Sequence, residues 1–303
     1  MEIKKKRKIV WSDLIFYIII LSIPLVKYLF GIIFINSGSI VLAFERWNEK
    51  TSAMEFVGFQ NFRDVWELFT TNELISSALG RSLKAYVLAV AVTTLIPIFF
   101  SFYVYKKFFG AEFFRVVLFI PSIVSSIITM TIFRFLANRG IPQLIMSWFD
   151  IEIMGLTNNP DTAFNTILFY SLWLSLGGSL LVNIGAMNAI DKSSIEAGYM
   201  DGMNLFQEFW HITLPSIYRI TCLGFITGIA SVFTADYGLY GFYGNAADPH
   251  NWTIGYYFTV NTIDATEAGI PFYSAWGVMI SLVTIPITLL ARKLIYTYGP
   301  SED

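Results

Sequence analysis

Charged residues in this chain are crowded into short stretches, with long uncharged blocks between them. Lys84 to Lys106 encloses 21 uncharged residues, Arg115 to Arg134 encloses 18, Asp161 to Asp191 encloses 29 and Glu267 to Arg292 encloses 24. A helix rises about 1.5 Å per residue and the hydrocarbon core of a bilayer is about 30 Å thick, so each block is long enough to span it. Two more blocks complete the set. Leu14 to Ile35 is interrupted only by Lys27, and Ile220 to Ala235 has 16 uncharged residues. The latter reaches span length if Arg219 snorkels to the interface. The pattern predicts an all-α integral membrane protein with about six transmembrane helices. Their expected positions are about 13–35, 84–105, 115–136, 163–187, 217–236 and 271–294, with an outer segment 36–80 and a cytoplasmic loop 190–216.

Small and hydroxyl-bearing residues lie inside these blocks, and such residues let helices pack closely in lipid. Pro24, Pro97, Pro121 and Pro286 also fall within spans, where neighbouring helices can satisfy the freed backbone groups. Orientation follows from Lys and Arg. If the N-terminal run Lys4-Lys5-Lys6-Arg7-Lys8 is cytoplasmic, 12 of the 20 basic residues lie inside, and the outer stretch 236–271 has none. Both termini are then cytoplasmic. A basic start followed by an apolar run also suits a signal peptide. The run of about 22 residues exceeds the usual signal core, so it reads as a retained span. No repeat, low-complexity tract or linker interrupts the chain, which reads as one transmembrane domain over 1–303.

Composition narrows the chemistry further. The chain is 55% hydrophobic and 14% charged, with mean hydropathy +0.59 and a net charge of −2. Nothing here favours nucleic acid. One cysteine, Cys222, leaves no intramolecular disulfide or cysteine cluster, and His211 and His250 are too few and too far apart for zinc. No catalytic constellation and no metal site are expected.

The loop after the fourth span reads Glu196-Ala197-Gly198-Tyr199-Met200-Asp201-Gly202, then nine residues, then Ile212-Thr213-Leu214-Pro215. Ser193 or Ser194 is a candidate N-cap with Glu196 in the first turn. Gly202 can end that helix in a left-handed conformation. Leu205, Phe206, Phe209 and Trp210 recur at helical spacing as an apolar face, and Pro215 leads into the next span. Two short helices at an angle are expected. This segment resembles the coupling motif of ABC importer permeases, E-A-A, three residues, G, nine residues, I-x-L-P, with Gly198 in place of the third residue. Phe56-Val57-Gly58-Phe59-Gln60-Asn61-Phe62 resembles the F-V-G-x-x-N-F signature of the carbohydrate, maltose-type branch, and Arg115 to Pro121 resembles its third-helix start. Thr253 to Phe258 with Gly269 and Ala275 is loosely similar to its stretch before the last helix.

The resemblance covers about residues 12–295 and implies a type I ABC importer permease of the MetI-like fold in a bacterial cell membrane. It implies that Glu196, Ala197, Gly198, Asp201, Gly202, Phe206, Phe209, Ile212, Leu214 and Pro215 form the coupling element that docks on an ATPase subunit. The chain has no G-x-x-x-x-G-K-S/T loop. Hydrolysis of ATP with Mg is therefore expected in a partner ATPase dimer, with no cofactor held by this chain. A second, non-identical permease and an extracellular solute-binding protein are the other implied partners.

A sugar path needs aromatics for stacking and hydroxyls or amides for hydrogen bonds. Tyr170, Trp173, Ser175 and Asn183 in the fourth span supply both, as do Ser122, Ser125 and Ser126 in the third. Thr234, Asp236 and Tyr237 stand at the outer end of the fifth. Where the maltose-type pattern offers polar groups on the fifth span, this chain has Gly228, Val232 and Ala235. Competing readings are an ABC permease for glycerol phosphate or a peptide, and a secondary transporter or channel. The last two would need intramembrane acidic relays or broken helices.

Overall fold

The computed structural model describes residues 11–300, with Ser12, Asp13 and Leu14 described by backbone alone. The basic run Lys4–Lys8, on which the N-terminal orientation rests, lies outside the described residues. The uncharged blocks become helices. Among the described residues, five are long and apolar enough to cross a membrane, or six if one sharply bent pair counts as a single span. The chain groups into two compact units, 1–66 with 265–279 and 67–264 with 280–303.

In the first unit, α1 (Trp11–Phe30) runs through a π turn into α2 (Ser37–Leu42). Its side chains from Ile15 onward are exposed and overwhelmingly apolar, as a lipid-facing helix requires. The outer segment then forms a small antiparallel hairpin, β1 (Glu45–Asn48) and β2 (Ala53–Phe56), with Glu45 opposite Phe56. The helical reading of the chain did not anticipate these strands. Helix α3 (Gln60–Thr71) begins at Gln60, and its Asn61 is fully buried. The Asn61 amide donates to the carbonyls of Ala43 (3.0 Å) and Glu45 (2.6 Å). Its oxygen accepts from Arg46 Nε (3.0 Å) and Nη2 (2.7 Å), and Arg46 also pairs with Asp64. Phe44 packs on Phe56, Phe59 and Phe62 around this centre.

The second unit is built on α4 (Glu73–Tyr105), started by the Asn72 side chain accepting from the amides of Leu74 and Ile75. The expected third span is not one helix. It splits into α5 (Ala111–Ile123) and α6 (Ser126–Phe135), which continues through a π turn into α7 (Ile141–Phe149) after a bend of 105°. Pro121 removes a backbone donor just before the break, and Val124 and Ser125 turn extended. Tyr170 Oη, from a neighbouring helix, donates to the Ser126 carbonyl at 3.2 Å and lies 3.1 Å from Thr129 Oγ1, tying the start of α6 to that helix.

That neighbour is α8 (Pro160–Asn188), with Asn159 as N-cap. It packs against α4, where Ser101 Oγ donates to the Leu180 carbonyl at 3.1 Å. It packs less extensively against α5. The chain continues through α9 (Lys192–Met200), α10 (Leu205–Glu208), α11 (Leu214–Gly228) and α12 (Ser231–Thr234). Two short outer helices follow, α13 (Leu239–Tyr243) and α14 (Ile254–Ile263), and then α15 (Ile270–Tyr298), which carries on from one unit into the other. Arg81 holds the outer end of α4 by donating to the carbonyls of Trp252 (2.8 Å) and Pro249 (3.2 Å).

Candidate functional site

The loop carrying the Glu196–Pro215 motif folds around two turns set by local sequence. Helix α9 is capped two to three residues earlier than expected. Its N-cap is Asp191, whose carboxylate accepts from Ser193 N at 3.1 Å, and neither Ser193 nor Ser194 has that role. Asp wins because an ionised acceptor suits the positive end of a helix better than a hydroxyl does. Glu196 therefore sits in mid-helix and is exposed, not in the first turn. The helix ends as predicted at Gly202, with φ +82°. Gly202 N donates to the Tyr199 carbonyl (3.1 Å) and Met203 N to the Gly198 carbonyl (3.0 Å), the paired bonds of a Schellman cap. Met203 then folds over Gly198. A Cβ there would lie 2.6 Å from Met203 Cε and 3.4 Å from Ile212 Cδ1, so a larger residue would require the Met203 side chain to shift.

The second arm starts with a reciprocal cap: Asn204 Oδ1 accepts from Gln207 N, and Gln207 Oε1 accepts from Asn204 N, both at 2.9 Å. The arm does not stop short of the membrane. One helix of 30 residues runs Leu205–Thr234, so the expected short helix is the inner end of the fifth span. Phe209–Thr213 form a π turn immediately before Pro215. The wider turn gives the chain room for a residue that has no amide hydrogen and whose ring crowds the turn behind it. The expected apolar face divides in two. Leu205, Phe206 and Trp210 are exposed, together with Tyr199 and Met200 on α9. Phe209 turns inward between the rings of Phe99 (5.3 Å) and Phe102 (5.0 Å) on α4.

Beneath that exposed surface lies a group that the sequence reading passed over. Glu208 is completely buried. Its Oε2 accepts from Tyr199 Oη at 2.5 Å, and its Oε1 lies 2.5 Å from Lys106 Nζ. Lys106 caps the C-terminus of α4 and is 16% exposed, with Tyr199 Oη 3.5 Å away. Burial opposes the Lys106 charge, but Glu208 and Tyr199 outweigh it and raise its pKa above the usual lysine value. The Tyr199 phenol is raised chiefly by its hydrogen bond to Glu208. The available signal was Glu208 itself, a carboxylate between Leu205 and Ile212 on the stripe that also carries Phe209.

Between α4, α8 and α11 lies a cleft of about 420 Å³. Its polar lining is Thr93 and Thr94 from α4, Ser179 and Asn183 from α8, and Thr221 and Thr227 from α11, with no charged side chain. The Thr221 hydroxyl is buried there without a hydrogen-bond partner. A second groove, lined by Asp191, Ser194, His211 and Ser216 among others, shares Ile220 with the first and continues beside the 190–216 loop.

Of the proposed path residues, only Asn183 lines the cleft. Tyr170 is 2% exposed and holds the break in the third span, where Ser125 and Ser126 also lie. Trp173 packs on the cluster of Ile167, Tyr170, Leu239 and Phe242. Ser122 is pressed against Gly177, whose added Cβ would fall 2.8 Å from its hydroxyl. Ser175 is exposed and bonds back to the Leu172 carbonyl at 2.7 Å, and Thr234 to that of Ala230 at 3.1 Å. The Asp236 carboxylate accepts from the amides of Gly238 (3.1 Å) and Tyr240 (3.0 Å), closing the turn into α13. Tyr237, at φ +52°, packs against the cluster of Ala85, Phe164 and Leu168.

No protein-family profile matches the chain. It is 26% identical to the arabinooligosaccharides transport system permease protein AraP of Halalkalibacterium halodurans, over 83% of this chain and 78% of that one. It is 23% identical to the probable ABC transporter permease protein YesP of Bacillus subtilis, over 99% and 97%. With the maltodextrin transport system permease protein MalC of Streptococcus pneumoniae it shares 21% identity over 90% and 67%. Among solved structures, a chain of a bacterial ABC transporter involved in import of the acidic polysaccharide alginate superposes with TM-score 0.75, at 17% identity and 95% and 98% coverage. The likeness read from Glu196–Pro215 and Phe56–Phe62 thus extends along the chain: its curated relatives are transport-system permeases, those named for a solute being sugar permeases, and its fold is that of an ABC importer permease.

Proposed function

We propose that this chain is the membrane-spanning permease subunit of an ATP-driven importer that moves a sugar or oligosaccharide, delivered by a binding protein, into the cytoplasm of a bacterium. One observation carries the reading furthest. The motif loop exposes Glu196, Met200, Phe206 and Trp210 on its outer surface, while its second arm is the same helix that lines the cleft. A partner pressing on the exposed face thereby moves a wall of the path. That partner is an ATPase dimer, which binds and hydrolyses ATP with Mg. A second, non-identical permease supplies the other half of the path. This chain contributes no catalytic group.

A sugar fits the cleft chemically. Hydroxyls and an amide offer exchangeable hydrogen bonds, and the absence of charge avoids binding a neutral solute too tightly to release. Glycerol phosphate or a charged peptide would enter a low-dielectric site without a counter-charge, which is costly. The names of the relatives point the same way.

The test is uptake of radiolabelled arabino- and malto-oligosaccharides in a strain lacking the gene, complemented with wild type or with Glu196→Lys. Glu196 is exposed, so this variant should reach the membrane at normal levels and lose most uptake. Full uptake by the variant would show that the loop does not engage the ATPase. An absence of uptake in the wild-type strain would remove these sugars as substrates.

A further inference from the structure

We infer that the cluster formed by the buried Glu208 with Lys106 and Tyr199 is the link through which α4 follows the coupling loop, and that Lys106 and Glu208 are positioning residues for transport. This rests on the reading of 190–216 as the loop that engages an ATPase. The cleft has three walls. Two are covalently tied to the loop: α8 leads into α9 through a short turn, and α10 runs without a break into α11. The third, α4, has no such connection, since the chain leaves it at Tyr105 and goes on to α5. What joins α4 to the loop is side chains: the rings of Phe99 and Phe102 on Phe209, and Lys106 on Glu208.

The two kinds of contact differ mechanically. Ring faces slide with little loss, because dispersion is weakly directional. A buried carboxylate cannot let go of its cation without leaving a charge in a dry site. Glu208 is the only charged residue fully buried among the described residues, and its two oxygens are engaged by two different elements, α9 and the end of α4. Lys106 is itself held. It stands where the last carbonyls of α4 favour a cation, and its ammonium lies 5.4 to 5.9 Å from the ring centroids of Tyr105, Tyr199 and Phe102. Both arms of the loop and the inner end of α4 therefore move as one body. Displacement of the loop carries Thr93 and Thr94 together with Ser179, Asn183 and Thr221, so all three walls shift together against the rest of the path.

The test uses the whole complex, both permeases with their ATPases, in proteoliposomes loaded with ATP, with radiolabelled malto- and arabino-oligosaccharides as probe. The reading is solute moved per ATP hydrolysed. The double variant Lys106→Met with Glu208→Gln removes both charges at nearly constant volume, so no uncompensated charge stays buried. It should assemble and hydrolyse ATP within about twofold of wild type, yet move about five- to tenfold less solute per ATP, the low end of what one coupling contact carries. Lys106→Arg keeps the charge and should restore the ratio.

An unchanged ratio in the double variant overturns the inference, and so does a fall in hydrolysis in step with transport, which would assign the cluster to docking. A second measurement needs no solute. Spin labels at the exposed positions 109 and 204 should keep one separation through the ATP cycle in wild type and acquire a second in the double variant. A second separation in wild type also overturns the inference. A wild-type chain that binds no ATPase would instead fail the transporter reading itself.

Discussion

Two buried polar centres organise this protein, and they differ in what they bind together. Asn61, in the first unit, is neutral and finds its partners nearby: two carbonyls at the base of the β hairpin and the Arg46 guanidinium on that hairpin. Glu208, in the second unit, is charged and finds its partners on α9 and at the end of α4. A neutral amide is satisfied by two carbonyls and one guanidinium close by in the chain, so it fixes a local shape. A carboxylate needs an opposite charge, and at this place the cation comes from a part of the chain about a hundred residues away. A local centre makes a rigid piece, whereas a centre with distant partners makes two pieces move together.

The largest effect that would sharpen this contrast is on stability. Lys106→Ala leaves Glu208 buried and uncompensated, and should cost about 3–5 kcal/mol. Thermal unfolding in detergent checks it, and adding Glu208→Met should recover most of the loss. A loss as large in the double variant would break the comparison, because packing and not charge would then dominate.

Gly202→Val comes next. At φ +82° a side chain costs about 1–2 kcal/mol, and the strain is relieved by loosening the turn between α9 and α10. Because Gly202 is exposed and lies outside the spans, the variant should accumulate normally and lose transport, read as uptake at equal membrane abundance. Asn61→Ala should cost about 1–3 kcal/mol by orphaning two carbonyls and leaving Arg46 with Asp64 alone. Its effect should stay local: faster proteolysis and hydrogen exchange over residues 43–56, with solute moved per ATP unchanged.

The smallest effect concerns pH. Lys106 and Tyr199 both have raised pKa values in the folded protein. A raised group contributes its full stability below its unfolded value, and that contribution is lost as pH rises through the folded value. With ordinary values near 10 for both groups, the cluster should be insensitive between about pH 6 and 9 and weaken only above about pH 10. Stability curves over that range check the sign, and a loss of the Lys106–Glu208 contribution near neutrality would contradict it.

Much of this was legible in the sequence because it depends on neighbours along the chain. The lengths of the uncharged blocks set the membrane helices, since the bilayer imposes one thickness on every span. The left-handed turn at Gly202 and the fixed spacing from Glu196 to Pro215 were also local matters, and both were readable. The 105° break after Pro121 was not readable: the uncharged block reads as one span over 115–136, with the proline tolerated inside it.

What the tertiary structure alone decided is which polar side chains face which neighbours. Trp173, Tyr170 and Asp236 have the chemistry of sugar contacts, yet they serve the core and a turn, while Thr93, Thr94 and Thr221 line the cleft. In a helix surrounded by apolar partners and lipid, hydrophobic periodicity is too weak to tell one face from another, so the sequence carries little record of the direction each side chain takes. The pairing of Lys106 with Glu208 was unreadable for a related reason. A surface cation and a buried carboxylate look alike as letters, and only the packing of α4 against the coupling loop removes the water between them.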